Sequence, residues 1–273
     1  MNLWLPSAAR ILSRTESCPQ KVAHILAEKV RGCGRKVSSS EINRAVQLIF
    51  DTPVDSNAEY VAYERKKLPR LPINQKLIKQ IVDTGIKFDE LEDRSPYFAE
   101  QPDCPDDYLN GSFSENELIC VAAGGPKDAQ TKPYCEWRGK LNSCDLIVPS
   151  PMSSATGTNK QGNETPRCLE NTGSRRFLVI EFDSGSANDQ AAIIWHLSGF
   201  AHLFLVVHSG SKSLHGWFYV EGVDEERVRE LHAYAVTLGA DPATLTKCQL
   251  VRMPAGVRNN GRKQMVYYFD PSF

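Results

Sequence analysis

The sequence predicts an α+β protein: a ferredoxin- or RRM-like β-α-β-β-α-β core, an additional β-rich lobe, and a small helical N-terminal region. Three observations predict it. Before residue 89, apolar residues recur at helical spacing. From about residue 110, short runs rich in β-branched and aromatic residues are bounded by Gly, Pro or Ser. From residue 175, two helical periodicities fall between four such runs in the order strand, helix, strand, strand, helix, strand.

The elements follow in order. In QKVAHILAEKVRG, Val22, Ile25, Leu26 and Val30 share a helical stripe, and Gly32 can end it. Ser39 or Ser40 can cap a second helix, SEINRAVQLIF, with Ile42, Val46 and Ile49 on one face. A third helix lies in NQKLIKQIVDTG and stops at Gly85, which makes 1–88 the helical region. Residues 89–108 read as an exposed acidic linker. The stretch FDELEDRSPYFAEQPDCPDD holds eight acids against Arg94 alone, and Pro96, Pro102 and Pro105 forbid a continuous helix.

Residues 109–273 form one further expected domain, with an extra lobe over 109–174 and the core over 175–273. The lobe contains the strands ELICVAAGG and CDLIVP, then PSPMSSATGTNKQGNETPR, whose Ser, Thr, Asn and Gly read as a long mobile loop. The core opens with FLVIEFD and the helix NDQAAIIWHLSG, followed by the strands FAHLFLVVHSG and SLHGWFYVEG. The second helix has Asp224 as N-cap, Val228, Leu231, Ala235 and Leu238 on one face, and Gly239 as its stop. KQMVYYF closes the order. Both helices are expected on one face of the sheet, with the other face free to carry a site.

Composition limits the function. The chain has 273 residues, 41% hydrophobic and 24% charged, and a net charge of −1, which excludes a uniformly basic nucleic-acid binder. The near-zero charge is a cancellation. Residues 1–50 carry eight Lys/Arg against three acids, 51–110 carry thirteen acids against eight bases, and 247–273 carry five bases against one acid. No apolar run approaches the ~20 residues of a membrane span, and MNLWLPSAARILSR shows no secretory signal. Among the eight cysteines, the closest pair, Cys135 and Cys144, is nine apart, too far for a short zinc-chelating pair. Reduced thiols and a cytoplasmic location are expected.

Three clusters could carry chemistry. Glu181 and Asp183 flank Phe182 at the end of a strand, so both point to one face. Two carboxylates there repel unless solvated or sharing a cation, and oxygen ligands suit Mg²⁺ or Mn²⁺. HSGSKSLHGWF is a Ser/Gly-rich turn whose amides can point at phosphate, with Ser209, Lys212, Ser213 and His215 beside it. A hairpin turn with a structural histidine is the plainer alternative. Third, Asp241 follows directly on a helix stop, and Arg252 sits between apolar residues ahead of Pro254.

Together these motifs resemble the archaeo-eukaryotic primase (primase-polymerase) superfamily, on its plasmid and phage branch. That family carries an acidic-x-Asp motif, a Ser-x-His motif in a Gly/Ser-rich context, and a single acid after the second helix. Here the matching positions are Glu181/Asp183, Ser213/His215 and Asp241. A trailing Arg-x-Pro…Asn…Gln pattern is similar through Arg252, Pro254, Asn259 or Asn260, and Gln264. The resemblance covers roughly residues 175–270. Glu181 departs from the commoner Asp, and its extra methylene shifts metal geometry toward a manganese-preferring, weakened or degenerate enzyme.

The resemblance implies a template-dependent nucleotidyltransferase, a DNA primase and polymerase. Glu181, Asp183 and Asp241 would bind two divalent ions, Mg²⁺ or Mn²⁺. Ser209, Lys212, Ser213, His215 and Arg252 would hold a nucleoside triphosphate, and single-stranded DNA template would run over the basic C-terminal side. Trp217, Tyr267 and Tyr268 are candidate stacking platforms. A helicase domain or protein is a further expected partner, and no membrane is involved. The alternative is a non-catalytic replication-initiation or single-strand-binding module on the same fold. A rolling-circle nuclease would need a His-x-His-like pair, which His24, His196, His202, His208, His215 and His232 do not form.

Overall fold

The computed structural model describes residues 18–30, 37–51, 72–97 and 104–271, together with Leu5, Ala8, Ala9, Leu12 and Ser13. In chain order the N-terminal half contains α1 (Pro19–Lys29), α2 (Ser39–Asp51), α3 (Gln75–Thr84), α4 (Glu90–Asp93), α5 (Pro105–Leu109), β1 (Leu118–Ala122), β2 (Gln130–Pro133), α6 (Tyr134–Trp137) and β3 (Leu146–Ile147). There follow the ribbon β4 (Gly157–Thr158) and β5 (Glu164–Thr165), then β6 (Phe177–Phe182), α7 (Ala187–Ser198), β7 (His202–His208), β8 (Leu214–Tyr219), α8 (Glu225–Thr237), β9 (Val251–Arg252) and β10 (Val266–Phe269). Among the described residues no helix is long and apolar enough to cross a membrane, and no disulfide joins the described cysteines.

α1 and α2 bury Val22, Leu26 and Val30 against Ile42, Val46 and Ile49, as their periodicity requires. The cap of α2 is Ser38 rather than Ser39 or Ser40. Its Oγ accepts from Glu41 N at 3.2 Å, and its own N–H donates to Glu41 Oε2 at 3.0 Å, a reciprocal capping box. The expected stop at Gly32 lies outside the described residues.

α3 is capped by Asn74, whose Oδ1 accepts from Leu77 N at 3.1 Å. It does not belong with α1 and α2. Ile81, Ile86 and Leu91 are buried with α7 and the core sheet, and a Cβ at Gly85 would stand 2.7 Å from Ala192 Cβ. The segment read as a solvated linker therefore folds, over residues 89–97, onto the core. Its acids face water while Leu91 is fully buried and Ser95 bonds Phe269, accepting from N at 2.9 Å and donating to O at 3.1 Å. Pro96 lies past α4, where it breaks nothing, and residues 98–103 lie outside the described set. The expected boundary at 88 falls in the turn between α3 and α4, both of which pack on the core.

The core sheet runs β10-β7-β8-β6, all neighbours antiparallel. The β-α-β-β-α-β order of elements is present, but the strand order is not ferredoxin-like: the last strand would then lie beside the first, whereas β10 pairs with β7. The physical reason is that the outer edge of β6 is already used. Phe177 N donates to Pro149 O at 3.2 Å and Asp241 N to Glu181 O at 2.9 Å, so loop residues rather than a strand bond both ends of that edge. One face of this sheet buries Leu178, Ile180, Phe182 and Phe218 under α7 and α8. α7 starts at a capping box between Ser186 and Asp189, and α8 at Asp224.

The other face is not left free. A second antiparallel sheet, ordered β2-β1-β3-β9, covers it, and Phe177, Val179, Trp217 and Tyr219 meet Ile119, Val121 and Ile147 there. β9 leaves the expected core and completes the lobe's sheet by pairing with β3. Arg176 ties the halves together: its guanidinium lies 2.6 Å from Glu117 and 3.2 Å from Glu221, almost wholly buried. The long polar stretch after Pro149 carries structure of its own: the ribbon of β4 and β5 and packed, hydrogen-bonded ends. Met152, Asn171 and Thr172 are buried. The Asn171 amide donates to Ser154 O and Pro166 O, at 3.1 and 2.9 Å, and accepts from Cys168 N at 2.7 Å. Polar side chains satisfy the loop's own backbone there, which a hydrophobicity pattern does not reveal.

Candidate active site

The site lies where the two-sheet sandwich ends. Along β6, Phe177 and Val179 are sealed between the sheets, but Glu181, two residues on and on the same face, keeps 24% side-chain exposure. β8 opposes it in register, with Glu181 facing His215. Glu181 Oε1 stands 3.4 Å from His215 Nε2. This is no ion pair. Burial, and then the charge of Arg252, push the His215 imidazole down to about 3, so it is neutral at pH 7. Neither ring nitrogen has a hydrogen-bond partner among the described residues, although the ring is fully buried.

Glu181 is shifted the opposite way, up to about 7, first by burial and then by the charges of Asp183 and Asp241, with Arg252 opposing. Three carboxylates from two segments, the end of β6 and the residue that caps the 3₁₀ turn, therefore share one field. Asp241 is brought there by its own backbone bond to the Glu181 carbonyl. Its Oδ1 accepts from Ala243 N at 2.9 Å, capping the 3₁₀ turn Pro242–Leu245. Asp183 is exposed, and its Oδ1 accepts from Ser213 Oγ at 2.6 Å.

The turn between β7 and β8 is wired to itself. Ser209 N donates to Ser213 O, Ser213 N to Ser209 Oγ, and Gly210 N to His208 Nδ1, at 2.9, 3.2 and 3.2 Å. Gly210 takes φ +77°, which favours glycine. The expected phosphate cradle of backbone amides is therefore largely used internally. Arg258 and Arg262 hold the turn from outside by donating to Ser209 O and Gly210 O, at 3.2 and 3.3 Å. Lys212 is exposed at its tip.

Arg252 stands on β9, with Nη1 3.5 Å from Asp145 Oδ2. Burial and the nearby Arg258 lower its proton affinity. A cleft of about 440 Å³ opens beside it, with Asp145, Arg167, Arg252 and Arg258 among its walls and none of the three site carboxylates in its lining.

Glu181, Asp183, Ser209, Ser213 and His215 thus lie together at the ends of β6 and β8, Asp241 is tied to Glu181 through its backbone, Arg252 acts on Glu181 and His215 through its charge, and Lys212 is exposed. Trp217, expected as a stacking platform, is sealed in the core, and Tyr268 is buried too. Tyr267 packs on Phe88, ring centres 4.3 Å apart. Sequence reasoning missed Asp145, Arg258 and Arg262. The basic run RNNGRK signalled the two arginines, whereas nothing around Asp145 marked it.

The donor set fits divalent cations in chemistry: three carboxylates, oxygen only. Among the described residues no three acidic, His or Cys side chains already close around one point. The hydrogen bonds from Ser213 and from Ala243 N hold one oxygen each of Asp183 and Asp241.

No family model and no curated protein matches the chain. Among solved structures it is similar to the AEP domain of the cyanophage S-2L primase-polymerase, at 16% identity and a TM-score of 0.42, over 62% of this chain and 88% of that one. At that distance the likeness reaches neither the site residues nor the activity.

Proposed function

We propose that the chain is a template-dependent nucleotidyltransferase, a DNA primase and polymerase that joins nucleoside triphosphates on single-stranded DNA. The observation that supports the reading is that Asp241 N bonds the Glu181 carbonyl at the end of β6, and that the charges of Asp183 and Asp241 act on the Glu181 carboxyl with Arg252 opposing them. Such a charge arrangement is costly for a fold and suits a cation-bound polyphosphate.

Glu181, Asp183 and Asp241 would hold two divalent ions, which supply charge neutralisation for an attacking 3′-hydroxyl and a departing pyrophosphate. The other groups bind and orient. Arg252 offers several N–H donors in a fixed fork to phosphate oxygens. His215 is neutral, so it can give one ring N–H to a phosphate oxygen without adding charge. Ser213 orients Asp183 through its hydroxyl. Ser209 shapes the turn, and exposed Lys212 adds a screened attraction. Template over the basic segment 247–273 would find its cations in Arg258, Arg262 and Lys263.

The second reading, a binding module without synthesis, is favoured by one observation: the hydrogen bonds that already engage Asp183 and Asp241. One experiment separates the two. Primer synthesis on unprimed single-stranded DNA with Mg²⁺ or Mn²⁺ is expected from the wild type and absent from Asp183→Ala. Synthesis that survives Asp183→Ala overturns the assignment. DNA binding without synthesis in the wild type supports the module.

A further inference from the structure

Arg252 stands between two sets of acids. Glu181 and Asp183 attract it from the core sheet, Asp145 pairs with it from the lobe, and Arg258 repels it. Among the described residues its ion pair is with Asp145, and it makes none with the three site carboxylates. That choice is built in. Asp145 is buried, with 9% side-chain exposure, so its charge needs a partner. Its main chain is held on both sides: N donates to Ala122 O at 3.0 Å, and O accepts from Met253 N at 3.2 Å and from Gln264 Nε2 at 2.9 Å. Its second carboxylate oxygen accepts from Gly124 N at 3.1 Å. Gly124 has φ +93°, and its carbonyl accepts from Asn259 Nδ2 at 2.8 Å. One buried carboxylate thus fixes two walls of the cleft, the Gly124 turn and Arg252.

We propose that Asp145 is a positioning residue for triphosphate binding: it keeps Arg252 on the cleft wall, out of an ion pair with Glu181 and Asp183, and pins the Gly124 turn nearby. This rests on the reading of the site as triphosphate-binding. With Asp145 as partner, the remaining N–H donors of Arg252 are left for phosphate. Without that charge, repulsion from Arg258 and attraction to the core acids both draw Arg252 out of the cleft. The carboxylates would then be neutralised from within the protein.

The test uses Asp145→Asn, which keeps an oxygen for Gly124 N and removes the charge. Calorimetric Kd for a deoxynucleoside triphosphate with Mn²⁺, and KM and kcat in primer extension, are the readouts. Kd and KM are expected to rise about tenfold, with kcat within about twofold of wild type. In an Arg252→Ala background the same change is expected to add nothing, because Asp145 acts through Arg252. Asp145→Glu, which keeps the charge, is expected to bind within about threefold of wild type. An unchanged Kd in Asp145→Asn, an equal further loss in the Arg252→Ala background, or an Asp145→Glu as weak as Asp145→Asn overturns the proposal. A wild type that binds no triphosphate overturns the site reading and this proposal with it. That result is distinct from a binding wild type with a silent Asp145→Asn.

Discussion

The two faces of the core sheet are built from the same strands and end differently. On the helix side, Leu178, Ile180 and Phe182 of β6 are apolar from end to end, under α7 and α8. On the sandwich side, Phe177 and Val179 are equally buried, but the next residue on that face is Glu181. β8 repeats the pattern: Tyr219 and Trp217 are core, while His215 and Ser213 are polar. The site is the continuation of an apolar face past the point where the covering sheet stops. A face covered along its whole length has only packing to offer. A face covered over part of its length supplies rigid strands and a low-dielectric floor for charged groups at its open end.

That contrast predicts separable effects. The largest is on chemistry. Asp183→Ala is expected to lower metal-dependent synthesis by a thousandfold or more, about 4 kcal/mol of transition-state stabilisation. Because Asp183 is exposed, the melting temperature should barely move, and a large fall would break the distinction between site and scaffold. Next in size is Trp217→Ala, deep in the covered part of the same face. It should cost about 3–5 kcal/mol in denaturant unfolding. Near-native stability combined with lost DNA binding would instead restore Trp217 as a stacking platform.

Glu181→Gln comes third and depends on pH. The folded carboxyl sits at about 7 against 4.5 when unperturbed. A raised folded value means that its contribution to stability is present below about 4.5 and is lost as pH rises through 7. Gln cannot ionise. Without divalent metal, the variant should match wild type near pH 4 and exceed it by about 2–3 kcal/mol at pH 8. Buried His215 works the other way: its value, lowered to about 3 from 6.5, makes stability fall as pH drops below 6.5. The difference between variant and wild type, rather than either curve alone, therefore isolates Glu181. A pH-independent difference would remove the charge crowding at the end of β6. The smallest effect is Ser213→Ala, which frees Asp183 from its hydroxyl partner. Stability should change by about 1 kcal/mol or less, and activity should fall about tenfold.

Much of the core was legible because its elements are long. Helical periodicity in 225–237 and the β-rich runs of β6, β7 and β8 each span enough residues to declare a type. Alternation along β6 put Glu181 and Asp183 on one face, and the Ser-x-His spacing put Ser213 and His215 on one face. What escaped was set by tertiary contacts. β9 has two residues and no period, yet it carries Arg252 into the lobe's sheet. The order of strands depended on the edge of β6 being taken by Pro149 and Asp241, two loop residues. Leu91 and Ser95 sit in an acidic stretch whose charge masked their docking. Asp145 has no motif around it, since its role follows only from where Arg252 and Gly124 meet.

Calorimetric titration of a deoxynucleoside triphosphate, with and without Mn²⁺, into the wild type and an Asp183→Asn/Asp241→Asn double variant addresses the three-carboxylate site directly. Binding should require the cation and weaken at least about a hundredfold in the double variant. Triphosphate binding that is tight without a divalent cation, or equal in the two proteins, would contradict it.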